Sequence, residues 1–403
     1  MDVYVGRQPI LGKDKKIFGY ELLFRDGLSN VFSGIDGETA TSKVLSNSFL
    51  SIGIQEITAG APAFINFPEA FIVRKIPFIF SPKILVVEIL EDVAPTADVV
   101  DRCRELSGRG YPIALDDFCY RPEYRALLPH ADIVKLDFRA QDPDALRETV
   151  RQLKAFRPDL LAEKVETYDE FQAALDMGFS YFQGYFFSKP EVLSGKDISV
   201  PKMNLLGIMS EANKENFEFN RLEKIISREL GLSYKLLRYV NSAFFKRRES
   251  ISSIKQAIVL LGEKKIRQFI SLIAMSNLAQ DKPNELIRNS VIRAKFCELA
   301  GGLDGGRANL DELFTLGLFS LIDAVMDDSM ESLMQKLPLS DAIKEALISG
   351  AGTLGEYLKL AVGYEKADWK AVSSTASRLG LREEGLPNSF MEALSWANSF
   401  SEF

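Results

Sequence analysis

The chain has 403 residues, and 49 Lys and Arg against 56 Asp and Glu give it a formal net charge of −7. This mildly acidic balance gives no electrostatic reason to expect binding along a nucleic-acid polymer, which requires clustered Lys and Arg. His130 is the single histidine, so the chain alone cannot build a His-rich metal centre or a histidine phosphorelay. Three well-separated cysteines, Cys103, Cys119 and Cys297, favour reduced thiols over a disulfide framework.

The length of the chain and the pattern of its apolar residues limit the number of domains and indicate where in the cell the protein is found. A chain of this length favours two or three domains. Apolar stretches such as Ile84–Val87 and Ala257–Leu261 are far shorter than the roughly 18 to 20 residues of a membrane-spanning helix. Residues 1–7 show no basic segment followed by an apolar one, as a signal peptide would. We therefore expect a cytoplasmic protein without membrane insertion.

Up to about residue 190, short β-branched or aromatic runs alternate with amphipathic helical segments. The apolar runs are Ala63–Phe67, Ile84–Glu88, Pro112–Asp116, Ile133–Leu136 and Leu160–Glu163. Helical periodicity over Ala97–Arg109 and Pro143–Phe156 separates some of these runs. This rhythm predicts a parallel sheet or a TIM-like β/α barrel over residues 1–190.

The rest of the chain has a different pattern. Residues 191–202 contain proline and glycine without a clear period, which indicates a linker. Apolar residues then recur at spacings of three and four, as in Leu232, Leu236 and Val240, and again from Ile254 to Leu261. Residues 203–403 are therefore predicted to form an all-α helical bundle.

Polar side chains follow most of the apolar runs in the barrel region. They are Glu21, Asn66, Glu88, Asp116, Asp117, Lys135, Glu163 and Gln183. In a β/α barrel the carboxyl ends of the strands meet at one face, so residues distant in sequence surround one pocket. From Asn66 to Gln183, successive strand ends are roughly 20 to 30 positions apart, about one βα unit each. The sequence therefore predicts a polar site at one mouth of the barrel.

The residue types at this mouth indicate metal-dependent chemistry. Crowded carboxylates repel one another unless cations neutralise them, and ligation by oxygen alone favours Mg²⁺ or Mn²⁺ over zinc, with Ca²⁺ as a further, inhibitory candidate. The adjacent Asp116 and Asp117 could serve two ions, an arrangement used to attack phosphodiesters. Lys135 would stabilise developing charge and Glu163 would accept a proton. Each residue alone also fits a plain role, such as a helix cap, and only their joint occurrence favours a site.

Residues 1–190 resemble the EAL domain family. The motifs that carry this resemblance, in family order, are Gln8-Pro9-Ile10, Glu21-Leu22-Leu23-Phe24-Arg25, Phe64-Ile65-Asn66, Glu88-Ile89-Leu90-Glu91, Leu115-Asp116-Asp117-Phe118, Val134-Lys135-Leu136-Asp137, Ala162-Glu163-Lys164-Val165-Glu166-Thr167 and Gln183-Gly184-Tyr185-Phe186. The resemblance implies a barrel that hydrolyses cyclic di-GMP to linear pGpG with two Mg²⁺ or Mn²⁺ ions.

The resemblance also implies roles for particular residues. One metal ion would be bound by Glu21, Asn66, Glu88 and Asp116, and the second would be reached by Asp116 and Asp117. Lys135 and Gln183 would contact water at the ions, Glu163 would be the base, and Glu166 would anchor the loop after the fifth strand. Leu23 and Arg25 match positions that hold the dinucleotide.

Three departures from the family pattern leave three hypotheses open. The signature reads Glu-Leu-Leu at Glu21, the loop Cys119–Tyr124 replaces a Gly-rich, Ser-containing one, and Lys164 stands where the family has glycine. An active phosphodiesterase keeps all the ligand positions and is the first hypothesis. A receptor that binds cyclic di-GMP without hydrolysing it is the alternative, and a scaffold that has lost ligand binding is a third.

The helical half resembles the HDOD family, most strongly from Leu232 to Ile270. That family shares the fold of HD phosphohydrolases and usually lacks their metal ligands. Because no histidine follows His130, the HD metal centre cannot form here. The resemblance implies a non-catalytic regulatory module that binds an unidentified protein partner, and a homodimer is compatible with it.

Overall fold

The structure is a computed structural model that describes residues 3–26, 53–140, 142–189, 230–241, 251, 253–279, 282–303, 305, 308–337 and 339–401. The chain divides into two compact units. The first unit comprises Met1–Lys189 with Tyr364–Lys370, and the second comprises Pro190–Gly363 with Ala371–Phe403. The predicted linker, residues 191–202, lies outside the described residues. Among the described helices, none has both the length and the apolar character needed to cross a membrane.

Eight strands of the first unit close into a barrel in the order of the chain, which confirms the predicted barrel. They are β1 (Val3–Gly12), β2 (Ile17–Asp26), β3 (Ala63–Phe67), β4 (Leu85–Ile89), β5 (Ile113–Leu115), β6 (Ile133–Asp137), β7 (Asp159–Glu163) and β8 (Tyr181–Gln183). Neighbouring strands from β2 to β8 pair in parallel, and β1 closes the barrel against both β2 and β8.

The direction of β1 corrects the expectation that every strand ends at the same face. β1 is antiparallel to both β2 and β8. The reason is the short connection: Gly12 and Ile17 are joined by a tight turn in which Gly12 donates its N–H to the carbonyl of Lys16. A tight turn can join only antiparallel strands, because a parallel pair needs a crossover of about a dozen residues or more.

The outer helices of the barrel bury one apolar face, and the three longer ones begin at side-chain caps, Thr96, Asp142 and Thr167. They are α1 (Ile54–Thr58), α2 (Glu69–Val73), α3 (Ala97–Gly108), α4 (Pro143–Leu153) and α5 (Tyr168–Met177). Helix α5 begins with a capping box in which Thr167 and Glu170 satisfy each other's backbone N–H groups. Because α5 follows directly on the segment after β7, this cap fixes the chain at the mouth of the barrel.

An apolar layer fills the interior of the barrel. Its buried members are Ile10, Phe64, Val86, Ala114, Ile133 and Leu161, with the partly buried Phe18 and Tyr181 packed against them. Phe18 and Tyr181 stack at 3.9 Å between ring centroids. This layer closes one end of the interior and supports the polar residues above it.

The second unit is helical throughout its described residues, which confirms the predicted helical fold. The described helices that follow the barrel in the chain are α6 (Leu230–Val240), α7 (Ile254–Leu278), α8 (Asn284–Gly302), α9 (Leu310–Phe319), α10 (Ile322–Met326), α11 (Met330–Lys336), α12 (Asp341–Ser349), α13 (Gly352–Glu365), α14 (Trp369–Leu379) and α15 (Leu386–Ser401). The predicted periodic residues Leu236, Val240 and Leu261 are buried where α6 packs against α7. Helix α7 is interrupted at Gly262, whose φ is 69°.

Candidate active site at the barrel mouth

The polar side chains of the mouth form a second layer directly above the apolar one. Asn66, Glu88, Asp116, Lys135, Glu163 and Gln183 stand two positions after Phe64, Val86, Ala114, Ile133, Leu161 and Tyr181, respectively. Side chains alternate between the two faces of a strand, so both members of each pair point inward. Glu21 stands two positions after Gly19, where a Cβ would lie 2.9 Å from the ring of Phe64. The strand alternation thus brings the predicted residues into one layer.

Lys135 lies at the centre of this layer. Its side chain is fully buried, and its Nζ is 2.5 Å from Glu88 Oε1, 2.6 Å from Asp116 Oδ1, 3.0 Å from Glu163 Oε1 and 3.4 Å from Glu21 Oε2. One buried ammonium therefore faces four carboxylates that come from four different strands or the residues directly after them. Such a group needs positive charge from inside the site, because buried like charges are costly unless they are paired.

Several buried oxygens at the mouth lack a hydrogen-bond donor. They are Asn66 Oδ1, Glu88 Oε2, Glu163 Oε2 and Gln183 Oε1. Buried polar atoms are almost always satisfied in folded proteins, so these oxygens are positioned for a further electropositive group. Carboxylate oxygens of Glu21, Glu88 and Asp116 lie within 4.8 Å of one another. Oxygen donors in this number and spacing fit a divalent cation such as Mg²⁺ or Mn²⁺.

Gln183 connects the antiparallel strand to the layer. Its Nε2 donates to Glu21 Oε2 at 2.6 Å and to Gln8 Oε1 at 2.9 Å. The next residue, Gly184, has a φ of 150°, and a Cβ there would lie 1.9 Å from the carbonyl oxygen of Val165. Glycine is therefore required for the close approach that holds the end of β8 against the segment after β7.

Burial and charge shift the acidities in this layer. Burial raises the pKa of Glu163 to about 7, although Lys135 opposes the shift. Burial also raises the pKa of Glu88 well above its usual range and raises that of Asp116. For Lys135, burial alone would lower the pKa, but the surrounding carboxylates, Glu88 first, raise it well above its usual range. A carboxyl group with a pKa near neutrality suits proton transfer at ordinary pH.

Asp117 lies apart from the buried carboxylates, although the sequence pairs it with Asp116. Its side chain is 44% exposed, and its Oδ1 is 3.7 Å from the Nζ of Lys164. The same ammonium lies 2.5 Å from Asp137 Oδ2. The structure thus places Asp117 in a second, outer ionic group with Lys164 and Asp137.

The remaining predicted residues lie at the edge of the site. Leu23 is half-buried on β2, two positions beyond Glu21. The side chain of Arg25 lies outside the described residues. Glu166 follows β7 and pairs with Arg139 at 2.9 Å and with Lys189 at 3.2 Å. These partners follow β6 and β8, so the role of Glu166 in anchoring the loop after the fifth strand stays a prediction.

The segment after β5 has its own packing. A 3₁₀ turn, Pro122–Ala126, follows the exposed Cys119. The Tyr124 hydroxyl donates to the carbonyl of Glu91 at 2.9 Å, and its ring packs edge-on against Phe118. The segment therefore forms one wall of a cleft that opens beside Asp116 and Asp117.

Three residues of the site had no role assigned from the sequence. Gln8 accepts from Gln183, and Asp137 and Lys164 form the outer ionic group. Asp137 stands two positions after Lys135 on β6, so strand alternation would have found it. Gln8 could not be found in this way because the reversed direction of β1 was not predicted.

Comparison with known proteins agrees with the barrel and the helical fold. The EAL domain model matches residues 46–190, and the HDOD domain model matches residues 199–347. The first match begins after β2, although β1 and β2 belong to the same closed barrel.

Two relatives span nearly the whole chain. The cyclic di-GMP phosphodiesterase CdgJ of Vibrio cholerae serotype O1 is 41% identical over 99% of this chain and 93% of its own. The uncharacterized protein YuxH of Bacillus subtilis (strain 168) is 37% identical over 100% of both chains. A crystal structure of an EAL domain protein from Listeria monocytogenes EGD-e has a TM-score of 0.39 and 22% identity, covering 46% of this chain and 87% of that one. The chain therefore belongs to the EAL domain family, with an HDOD domain following the barrel in the same polypeptide.

Proposed function

We propose that this chain is a cyclic di-GMP phosphodiesterase that produces linear pGpG. The observation that carries the proposal is the buried layer at the barrel mouth, in which carboxylates of Glu21, Glu88 and Asp116 converge beside donor-free buried oxygens. The relative CdgJ, which is similar over nearly the full length, bears the name of this activity.

In this proposal the enzyme uses two divalent ions, Mg²⁺ or Mn²⁺, and Ca²⁺ would bind in their place as an inhibitor. Glu21, Asn66, Glu88 and Asp116 would hold the first ion, and Asp116 and Asp117 would reach the second. The chemistry that such ions supply to phosphodiester cleavage is polarisation of a phosphoryl oxygen and acidification of water. The donor-free oxygens of Asn66 and Glu88 support the first ion.

Three side chains carry the remaining chemistry in this proposal. Glu163 accepts the proton of the attacking water, a role supported by its pKa of about 7. Lys135 fixes the positions of the carboxylates through its ion pairs and supplies a fixed positive charge close to the phosphate. Gln183 orients Glu21 through its 2.6 Å hydrogen bond. Leu23 and Arg25, farther along β2, would contact the dinucleotide.

The test is a turnover assay on the full-length protein beside a binding measurement at the same Mg²⁺ or Mn²⁺ concentration. We expect the wild type to release pGpG and Glu163→Gln to bind cyclic di-GMP without releasing it. Glu148→Gln is the matched control, because Glu148 lies on the exposed side of α4. No product with either metal, together with tight binding, would contradict the enzyme and favour the receptor. Loss of binding as well would favour the scaffold.

We further propose that the helical unit is regulatory and does not catalyse. This proposal is supported by the sequence, which has no histidine after His130. We therefore expect full-length Glu163→Gln to be inactive towards generic phosphodiesters such as bis-p-nitrophenyl phosphate as well. Metal-dependent hydrolysis that survives this substitution would indicate a second catalytic centre and contradict the proposal.

A further inference from the structure

Two lysine ammonium groups lie at the mouth of the barrel, one in each of two ionic groups. The inner ammonium, Lys135, is fully buried among the four carboxylates described above. The outer one belongs to Lys164, which follows the last residue of β7 and pairs with Asp137 and Asp117. Asp137 stands two positions beyond Lys135 on β6 and opposite Glu163 on β7. The outer group therefore lies directly beyond the inner one along these two strands.

The backbone of the outer group is held in an uncommon conformation. Lys164 has a φ of 57° and Asp117 a φ of 38°, both in the left-handed region that disfavours side chains other than glycine. Such conformations persist where surrounding interactions compensate for them, often at functional sites. For Lys164, these interactions include the ion pairs with Asp137 and Asp117.

Asp137 is fixed independently of Lys164. Its Oδ1 accepts hydrogen bonds from the backbone N–H groups of Arg139 at 2.8 Å and Ala140 at 2.9 Å, which leaves Oδ2 for the ammonium. The carboxylate is 13% exposed, whereas Lys164 is 56% exposed. Lys164 is thus the more accessible partner, and a competing cation can displace it more easily than it could displace the carboxylate, which the backbone holds in place.

We propose that Lys164 is an internal counterion that competes with the second divalent ion for Asp117. The inference rests on the proposed function, in which Asp116 and Asp117 reach that ion. An ammonium 3.7 Å from Asp117 Oδ1 already neutralises part of its charge and repels an incoming dication. Lys164 therefore lowers the affinity of the second ion. It acts less on the first ion, because its ion pairs are with Asp117 and Asp137, whereas Glu21, Glu88 and Asp116 lie beside Lys135.

The test measures Mn²⁺ binding to the full-length protein by the electron paramagnetic resonance signal of free Mn²⁺, without substrate. In the wild type we expect a first ion and a second that binds at least about tenfold more weakly, because an ammonium a few ångströms from a dication opposes its binding by roughly that factor even in high dielectric. Lys164→Gly should tighten the second ion by about tenfold and relax the backbone at the same time.

Further variants separate charge from backbone strain. Lys164→Asn removes the charge in a residue that tolerates left-handed φ, and should tighten the second ion as Lys164→Gly does. Lys164→Arg keeps the charge and should leave the second ion weak. Lys154→Asn, at an exposed lysine that follows α4, is the matched control.

The outcomes distinguish this inference from the proposed function. Equal second-ion affinity in the wild type, Lys164→Gly and Lys164→Asn would overturn the role of Lys164 while the phosphodiesterase proposal stands. Tightening in Lys164→Arg as well would show that strain, and not charge, controls the site, and would also overturn it. A wild type that binds no Mn²⁺ at all would overturn the metal-dependent function together with the inference.

Discussion

Replacing Lys135 with methionine tests whether the buried ammonium holds the carboxylate layer together. Methionine keeps the approximate length of the side chain and removes its charge. The substitution leaves Glu88, Asp116, Glu163 and Glu21 facing one another without the cation that lies 2.5–3.4 Å from them. Removing one partner of a buried ion pair typically costs about 3–5 kcal/mol. For a unit of roughly 190 residues, this corresponds to a decrease in Tm of about 6–20 °C.

The assay is differential scanning calorimetry of the full-length protein in EDTA at pH 8, with the barrel transition identified as the one that Mn²⁺ shifts. We expect Lys135→Met to lower this transition, and to lower it less at pH 5.5, because protonation relieves the repulsion among carboxylates whose pKa values burial already raises. Mn²⁺ should raise the Tm of the variant more than that of the wild type, because it restores positive charge.

Two comparisons make this prediction refutable. Lys83→Met, at an exposed lysine, should leave the barrel transition within about 1 °C. The double variant Lys135→Met, Glu88→Gln should lose less stability than the two single variants lose together, because the second substitution removes a repelling charge. A decrease of less than about 2 °C for Lys135→Met in EDTA at pH 8 would refute the claim that this ammonium stabilises the layer.

Three further predictions concern acidity and packing. Burial raises the pKa of Glu163 to about 7 in the folded chain from an ordinary 4.5, so the folded state binds more protons than the unfolded state between these pH values. The free energy of unfolding in EDTA should therefore fall by on the order of 3 kcal/mol as the pH rises through this window. Urea titrations should show a flatter pH dependence for Glu163→Gln. Gly184→Ala should destabilise the barrel by about 2–3 kcal/mol or more and reduce turnover, because its Cβ would lie 1.9 Å from the carbonyl oxygen of Val165. The control is Gly178→Ala, which should cost only about 1 kcal/mol, because Gly178 has a φ of 100° but a Cβ there would have no neighbour within 4 Å. Equal effects of the two substitutions would contradict the steric argument. Gly317→Ala should destabilise the helical unit by about 1–3 kcal/mol, because its Cβ would lie 2.5 Å from the Cα of Ala294. Gly302→Ala should leave the stability of the unit unchanged, because a Cβ at Gly302 would lie in open space. Calorimetry of both variants checks the difference.

The predicted barrel residues illustrate what periodicity can establish. The runs at Ala63–Phe67 and Ile133–Leu136 are strands, and the periodic segments from Ala97 and from Pro143 are helices that end within a few residues of the predicted bounds. These elements follow from local rules, since strand alternation and helical spacing depend on neighbouring residues only. The same alternation explains why Asn66, Glu88 and Lys135 point into one layer.

The direction of β1 shows where these local rules end. Residues 3–12 form a strand whose antiparallel pairing with both β2 and β8 follows from the tight turn and the closure of the barrel. That pairing brings Gln8 within hydrogen-bond distance of Gln183, which lies at the opposite end of the barrel sequence. No pattern within residues 3–12 contains this information.

The sequence by itself determined the alternation of strands and helices, the helical unit and the set of carboxylates near the strand ends, because alternation and spacing are local properties, and the resemblance of its motifs to a known family implied the barrel. Only the tertiary structure decided how those charges are divided. It gathers Glu21, Glu88, Asp116 and Glu163 around the buried Lys135, and it separates Asp117 from its neighbour Asp116 to pair with Lys164. Adjacent residues of one strand end face opposite ways, and which cation each then meets depends on strands that are distant in the chain.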